Sequence, residues 1–245
     1  MPTIPLSTLG NRNMYENFDH DKYARQQKDD DFWGQVKRTV NGIPVAEVQI
    51  QIIENTVTQH LGLNNKYLLD FGCGNGALTY RFADNYERII GIDPSNFLIS
   101  IANKYFAEEK KFSFRVGESA NIAEILDLKE RMKIEHILCY GVFPYLSQTE
   151  IDELFAEFAT WPSLEKIYLG NLPDYDRKEN FFTEYPKPEH LLRNHTSVIG
   201  HWRTLKQYMD LFKRFPEWEV CRVNTPDHFY ASNYRFDLLL RKRSA

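Results

Sequence analysis

Tyr67-Leu68-Leu69-Asp70-Phe71-Gly72-Cys73-Gly74-Asn75-Gly76-Ala77 decides the fold of this 245-residue chain. An apolar strand runs into a loop of alternating glycines, and Leu78 and Phe82 then begin a helical face. Glycines adopt backbone angles closed to other residues and hold no side chain away from a ligand. Asp70 stands before the first glycine, and Ile89-Ile90-Gly91-Ile92-Asp93 is a second apolar run ending in an acid. Asp93 lies about 20 residues beyond Gly72, the spacing at which a carboxylate accepts ribose hydroxyls. The pattern places a nucleoside-like ligand across the carboxyl ends of two neighbouring parallel strands.

Two cofactor classes fit this loop. Gly72, Gly74 and Ala77 satisfy the dinucleotide fingerprint, which sets a pyrophosphate on a helix N-terminus. Asp70 would then oppose a phosphate. S-adenosylmethionine has no phosphate and carries an ammonium and a sulfonium, so an acid beside the loop suits it. Residues 68–76 resemble the first motif of the class I S-adenosylmethionine-dependent methyltransferases, an apolar strand followed by acid-x-Gly-x-Gly-x-Gly.

The remaining chain alternates between strand and helix patterns. Strands are expected at about 88–92, 112–116, 134–140 and 165–170, and a closing pair at 218–224 and 234–241. Pro44 is expected to open a helix burying Val45, Val48, Ile52, Ile53, Val57 and Leu61, with Gly62 as its cap. A further helix is expected near 119–131. Ser95 is a candidate helix cap, and Ser147-Gln148-Thr149-Glu150 and Thr204-Leu205-Lys206-Gln207 read as capping boxes. The expected fold is α/β: a doubly wound, seven-stranded, mostly parallel sheet with an antiparallel last strand and helices on both faces. It resembles the class I methyltransferase fold over roughly residues 44–242. The chain divides into an N-terminal lid, residues 1–43, and a methyltransferase domain, residues 44–245, with a long acceptor-side loop at about 171–203.

The resemblance implies roles residue by residue. Asp70, Gly72, Cys73, Gly74 and Gly76 would cradle the donor, Asp93 would hold its ribose, and Pro94 would shape the turn beneath. Glu118 or the backbone of Ser119 would meet the adenine, and Tyr140 would run beside the methyl group. Some small-molecule O-methyltransferases of this class are similar at Phe32-Trp33 and the Arg that follows, which makes Arg38 the candidate for the methionine carboxylate. Tyr15, Phe18 and Tyr23 are candidate lid residues, with ordinary packing as the alternative.

An alcohol acceptor calls for a base, and histidine is the favoured type. His195 and His201 in the long loop are the first choices, with His190 in the same loop and His20 in the lid behind them. Their loop spacings do not form a metal-ligand pattern, so no metal is expected. Asp174, Asp176 and Arg177 are a candidate acceptor rim; Phe143, Tyr145, Phe181, Phe182, Tyr185 and Trp202 read equally as an apolar pocket or as the packed underside of the loop. Asn171-Leu172-Pro173-Asp174 differs in position and residues from the motif of amino-methylating DNA enzymes.

Composition limits the partners. The net charge of −4 gives a nucleic-acid substrate no general electrostatic support. Three scattered cysteines suggest reduced thiols. Met1-Pro2-Thr3-Ile4 opens no signal peptide and no apolar run approaches membrane length, so a cytoplasmic location and no membrane partner are expected. The expected activity is methyl transfer from S-adenosylmethionine to a small molecule, most readily O-methylation of a sugar, glycan precursor or secondary metabolite. N-methylation of an amine or protein side chain, and a non-catalytic cofactor-binding scaffold, are the alternatives. The sequence carries no signal for oligomeric state.

Overall fold

The computed structural model describes residues 16–62, 65–182 and 189–243, so Tyr15 and Tyr185 lie outside the described residues. Seven strands form one sheet: β3 (Asn65–Phe71), β4 (Tyr86–Asp93), β5 (Phe112–Val116), β6 (Ile134–Tyr140), β7 (Lys166–Pro173), β8 (Trp218–Val223) and β9 (Arg235–Lys242). Their order is β5-β4-β3-β6-β7-β9-β8. β3, β4, β5, β6 and β7 pair in parallel, and β9 runs antiparallel between β7 and β8. The order reverses between β3 and β6, and an open α/β sheet binds ligands outside the carboxyl ends of its strands at such a point.

The parallel strands are apolar on both sides because helices cover both faces. Alternate residues serve opposite cores: Leu68 and Ile89 belong to one buried cluster, Leu69 and Ile90 to the other. Helix α3 (Glu47–Leu61) buries Ile50, Ile53, Val57 and Leu61 on the first face. On the second face lie α8 (Gln148–Ala159) and α10 (Leu205–Phe212), where Phe155 stacks on Phe215 with ring centroids 4.7 Å apart. Both start with capping boxes, at Ser147/Glu150 and Thr204/Gln207.

Several local expectations are corrected. Pro44 does not open α3; it pairs as strand β2 (Ile43–Pro44) with β1 (Thr39–Val40). Asn41 and Gly42 both have positive φ, 52° and 76°, the turn chemistry of a tight hairpin. Val48 is 58% exposed and faces away from the core. The helix expected near 119–131 is instead a 3₁₀ turn at Ser119–Asn121 followed by α6 (Ile122–Ile125) and α7 (Leu128–Arg131). Asp127 and Glu130 form a capping box at α7, so the second short helix starts afresh. Strand β7 continues to Pro173 past an irregularity at Asn171, whose φ is 62°. The long loop therefore holds the last strand turn, a 3₁₀ helix at Tyr175–Asn180 and the short α9 (Glu189–Leu192). Among the described residues no helix is long and apolar enough to cross a membrane.

Candidate functional site

The glycine loop turns sharply because the amides of Gly72 and Cys73 both donate to the Ile92 carbonyl, at 2.7 and 3.0 Å. This ties the end of β3 to the end of β4. Gly72 has φ of 78°, and a Cβ there would stand 2.1 Å from a methyl of Val142, in the turn after β6. Gly74 has φ of 57°, and a Cβ there would stand 2.8 Å from Val36 of the N-terminal segment. Two glycines are thus required by approach as well as by conformation.

Asp93 closes the same turn. Its Oδ2 accepts from Gly74 N and its Oδ1 from Ser95 N, both at 2.9 Å. Burial pushes its carboxyl up to about 6 despite those two amides. Asp70 is fully enclosed, and Thr79 Oγ1 donates to its Oδ2 at 2.6 Å. Burial pushes Asp70 up to about 7, while Thr79 and the Arg38 guanidinium pull it down. Two carboxylates raised by burial at one loop form a site that a cation would relieve.

The N-terminal segment packs on this loop. Helix α2 (Phe32–Gln35) is tied to it by Asn75, whose Nδ2 donates to Phe32 O at 2.7 Å and to Gln35 Oε1 at 2.8 Å. The Arg38 guanidinium lies 5.3 Å from the Trp33 ring and 5.2 Å from the Tyr140 ring. Helix α1 (His20–Ala24) reaches the next helix, α5 (Asn96–Tyr105): Asp21 Oδ1 accepts from Ser95 Oγ at 2.5 Å and from Phe97 N at 3.1 Å. Asn75 and Asp21 were not singled out from sequence. An Asn inside a glycine loop was the only available signal for the first.

The structure thus gathers Asp70, Gly72, Gly74, Gly76, Asp93, Tyr140, Arg38 and Trp33 at the ends of β3, β4 and β6. Cys73 is on the loop, but its side chain is buried in the apolar cluster beneath, where a Cβ on Gly91 would meet its Sγ, and its thiol donates to Gly74 O at 3.6 Å. Pro94 is exposed between Asp93 and Ser95. Gly117 N donates to Asp93 O, which brings the turn after β5 alongside. There Glu118 is exposed and its amide donates to Asn121 Oδ1 at 2.8 Å. Ser119 is buried and donates to Glu150 Oε1 at 2.9 Å.

The acceptor-side candidates are less concentrated. His195 interacts electrostatically with Glu150, and also with His201. Burial lowers His201 to about 4, and its amide donates to Pro144 O at 2.8 Å. His190 is largely exposed, 3.8 Å from Glu16 Oε1. His20 packs edge-on against Tyr145, ring centroids 4.7 Å apart, and burial lowers it to about 3. Phe143 belongs to the core, against Tyr208 and Phe212. Phe181, Phe182 and Trp202 cluster with Tyr234 as the packed underside of the loop. Asp174 accepts from Asp176 N and lies 3.5 Å from Arg177, so this rim is largely self-satisfied.

Comparison with known proteins agrees with this geometry. Residues 68–161 match a family model described as a methyltransferase domain. A probable S-adenosylmethionine-dependent methyltransferase of Saccharomyces cerevisiae is 35% identical over 79 residues, covering 31% of this chain and 27% of that protein. Enniatin synthase of Fusarium equiseti is 21% identical over 140 residues, 57% of this chain. The chain spans 4% of that synthase, and so only a small part of the curated relatives it matches. Among solved structures, phosphoethanolamine N-methyltransferase 1 of Haemonchus contortus, in complex with phosphoethanolamine and S-adenosylhomocysteine, superposes with a TM-score of 0.66. That match has 17% identity and covers 96% of this chain and 49% of the other.

Proposed function

We infer, from a chain whose residues 68–161 are a methyltransferase domain on the class I, S-adenosylmethionine-dependent fold, that it transfers a methyl group from S-adenosylmethionine to an oxygen of a small-molecule acceptor. The observation that carries this reading is the Asp93 carboxylate, oriented by the amides of Gly74 and Ser95 at the tip of β4. A carboxylate so fixed keeps lone pairs free for two ribose hydroxyls. The site fits the group in charge as well: two buried carboxylates stand where a cationic ligand would be favoured.

When bound, S-adenosylmethionine supplies an electrophilic methyl on a sulfonium. In the proposed arrangement Asp70 faces the ammonium, Arg38 takes the methionine carboxylate, and Trp33 covers the guanidinium. The backbone of Gly72, Cys73, Gly74 and Gly76 would line the cofactor, with Pro94 shaping the turn beside them, and Glu118 or the Ser119 backbone would meet the adenine. Tyr140 borders the transfer path. Transfer makes an O–CH₃ bond and breaks S–CH₃, and the acceptor hydroxyl gives up its proton. Holding oxygen, methyl and sulfur in line in an enclosed site supplies much of the acceleration. His195, beside Glu150, is the preferred proton acceptor. His201, lowered to about 4, is neutral near pH 7 but a weak base. The acceptor is read as a small molecule because the net charge of −4 gives a polyanion no general electrostatic support.

Isothermal calorimetry with S-adenosylhomocysteine tests the donor half. Asp93→Ala removes two charge-assisted hydrogen bonds, about 3 kcal/mol together, so affinity should fall by about 100-fold. Unchanged affinity would sink the assignment. Release of S-adenosylhomocysteine across a panel of alcohols, phenols and amines tests the acceptor half; turnover on amines alone would replace O-methylation by N-methylation.

A further inference from the structure

We propose that Lys37 and Arg235 form the anion-binding end of the acceptor site, and that the acceptor is an organic acid carrying a carboxylate or phosphate. This rests on the methyl-transfer reading above and adds the class of acceptor to it.

The backbone makes the first observation. Helix α2 ends in a Schellman motif: Lys37 N donates to Gly34 O at 2.9 Å and Arg38 N to Trp33 O at 2.8 Å. The left-handed position of that motif normally holds glycine, yet here it is Lys37, with φ of 56°. A side chain there costs about 1 kcal/mol in strain. The left-handed turn also separates two neighbouring cations. Arg38 goes to Trp33 and Tyr140 at the donor strands, and Lys37 goes to the long loop.

The surroundings make the second. Lys37 Nζ donates to Val198 O at 2.8 Å, the same carbonyl that Tyr145 Oη reaches at 3.2 Å. Tyr145 follows β6 in the turn whose Val142 covers Gly72, so the shared Val198 carbonyl links the ammonium to the turn that covers the glycine loop. The other neighbours are rings: Phe18 at 4.2 Å and Tyr23 at 5.8 Å. An ammonium has three donors, and among the described residues no carboxylate lies within ion-pair distance of this one. Burial, and after it the charge of another cation, Arg235, lowers Lys37 to about 7. Arg235 gives Nη1 to Asn171 O at 2.6 Å. The acid that shares its field, Asp237, is already engaged by Tyr168 Oη and Asn171 N, each at 2.6 Å. Lys37, held by one carbonyl and two rings, and Arg235, held by the Asn171 carbonyl, are cations within electrostatic reach of each other and without an ion-paired acid among the described residues, an arrangement that an anion from outside would complete through charge-assisted hydrogen bonds.

The test is calorimetry on the full chain saturated with S-adenosylhomocysteine, titrated with benzoate, phenyl phosphate and the neutral benzyl alcohol. At least one of the acids should bind about tenfold more tightly than benzyl alcohol, the contribution of one charge-assisted hydrogen bond. Which acid wins separates carboxylate from phosphate. Lys37→Met should abolish the preference while leaving S-adenosylhomocysteine affinity intact. Lys37→Gly, which places glycine where the backbone favours it, should fold at least as stably and lose the preference too. Equal affinity for the three probes, absence of binding by all of them, or retention of the acid preference in both variants would overturn the proposal and leave the donor reading standing. Failure of S-adenosylhomocysteine itself to bind would remove both.

Discussion

The two ends of the site are built differently. The donor end is local: residues 67–93 contribute one loop, two strand tips and two carboxylates, fastened by backbone hydrogen bonds to Ile92 O and from Gly74 N and Ser95 N. The proposed acceptor end is assembled from distant pieces. Lys37 meets Val198, Tyr145 meets His20, and Arg235 meets Asn171. Burial raises the two carboxyls of the proposed donor end and lowers the Lys37 ammonium at the proposed acceptor end. A sulfonium and ammonium on one side, and an acid on the other, would each relieve the end they face.

Three experiments break or sharpen that comparison. The largest effect is expected at Asp70. Asp70→Asn removes the charge opposite the donor's ammonium, and S-adenosylhomocysteine affinity should drop by about 10-fold or more, as for loss of one charge-assisted hydrogen bond, read by calorimetry. The apo variant should nevertheless melt higher at alkaline pH, because a buried charge is gone. An equal loss of affinity and stability would show that Asp70 is a structural residue.

The second is the pH dependence of that stability difference. Asp70 is raised in the fold to about 7, so the folded state holds its proton more tightly than the unfolded chain. The stability it contributes is full below the ordinary carboxylate range and is lost as pH rises through about 7. Wild type and Asp70→Asn should therefore melt most alike below about pH 4, diverge as pH rises from there to about 7, and keep a constant gap above it. A constant gap in thermal denaturation from pH 5 to 8 would contradict the buried-charge reading.

The smallest effect on donor binding belongs to the acceptor side. His195→Ala and His201→Ala should change S-adenosylhomocysteine affinity by less than about twofold, since distant sites are energetically independent. Turnover on a working acceptor should fall more for His195→Ala. A large loss of donor affinity in either variant would show that the two ends are coupled.

The sheet was legible because strand and helix periods differ, and because parallel strands covered on both faces read as unbroken apolar runs. Leu68-Leu69 and Ile89-Ile90 each supply adjacent residues to opposite cores. The chain could not reveal that β9 lies between β7 and β8, since pairing is a long-range choice. The hairpin at Asn41-Gly42 was readable from its turn residues but overshadowed by Pro44. Phe143 read equally as pocket lining or as packed underside of the loop, and it lies in the core, because aromatic composition does not say which face of a turn is buried.

The sequence by itself named the residues of the proposed donor end, because there chemistry and chain order coincide: the glycines, Asp70 and Asp93 stand together at the tips of two adjacent strands. Only the tertiary structure decided the rest. Asn75 holds the N-terminal segment through Phe32 and Gln35, Asp21 accepts the Phe97 amide in the first turn of α5, and Lys37 stands beside Val198, all across intervals that no periodicity spans. Side chains from distant segments meet when burying apolar surface brings their elements together, and only then does their charge acquire a partner or lack one.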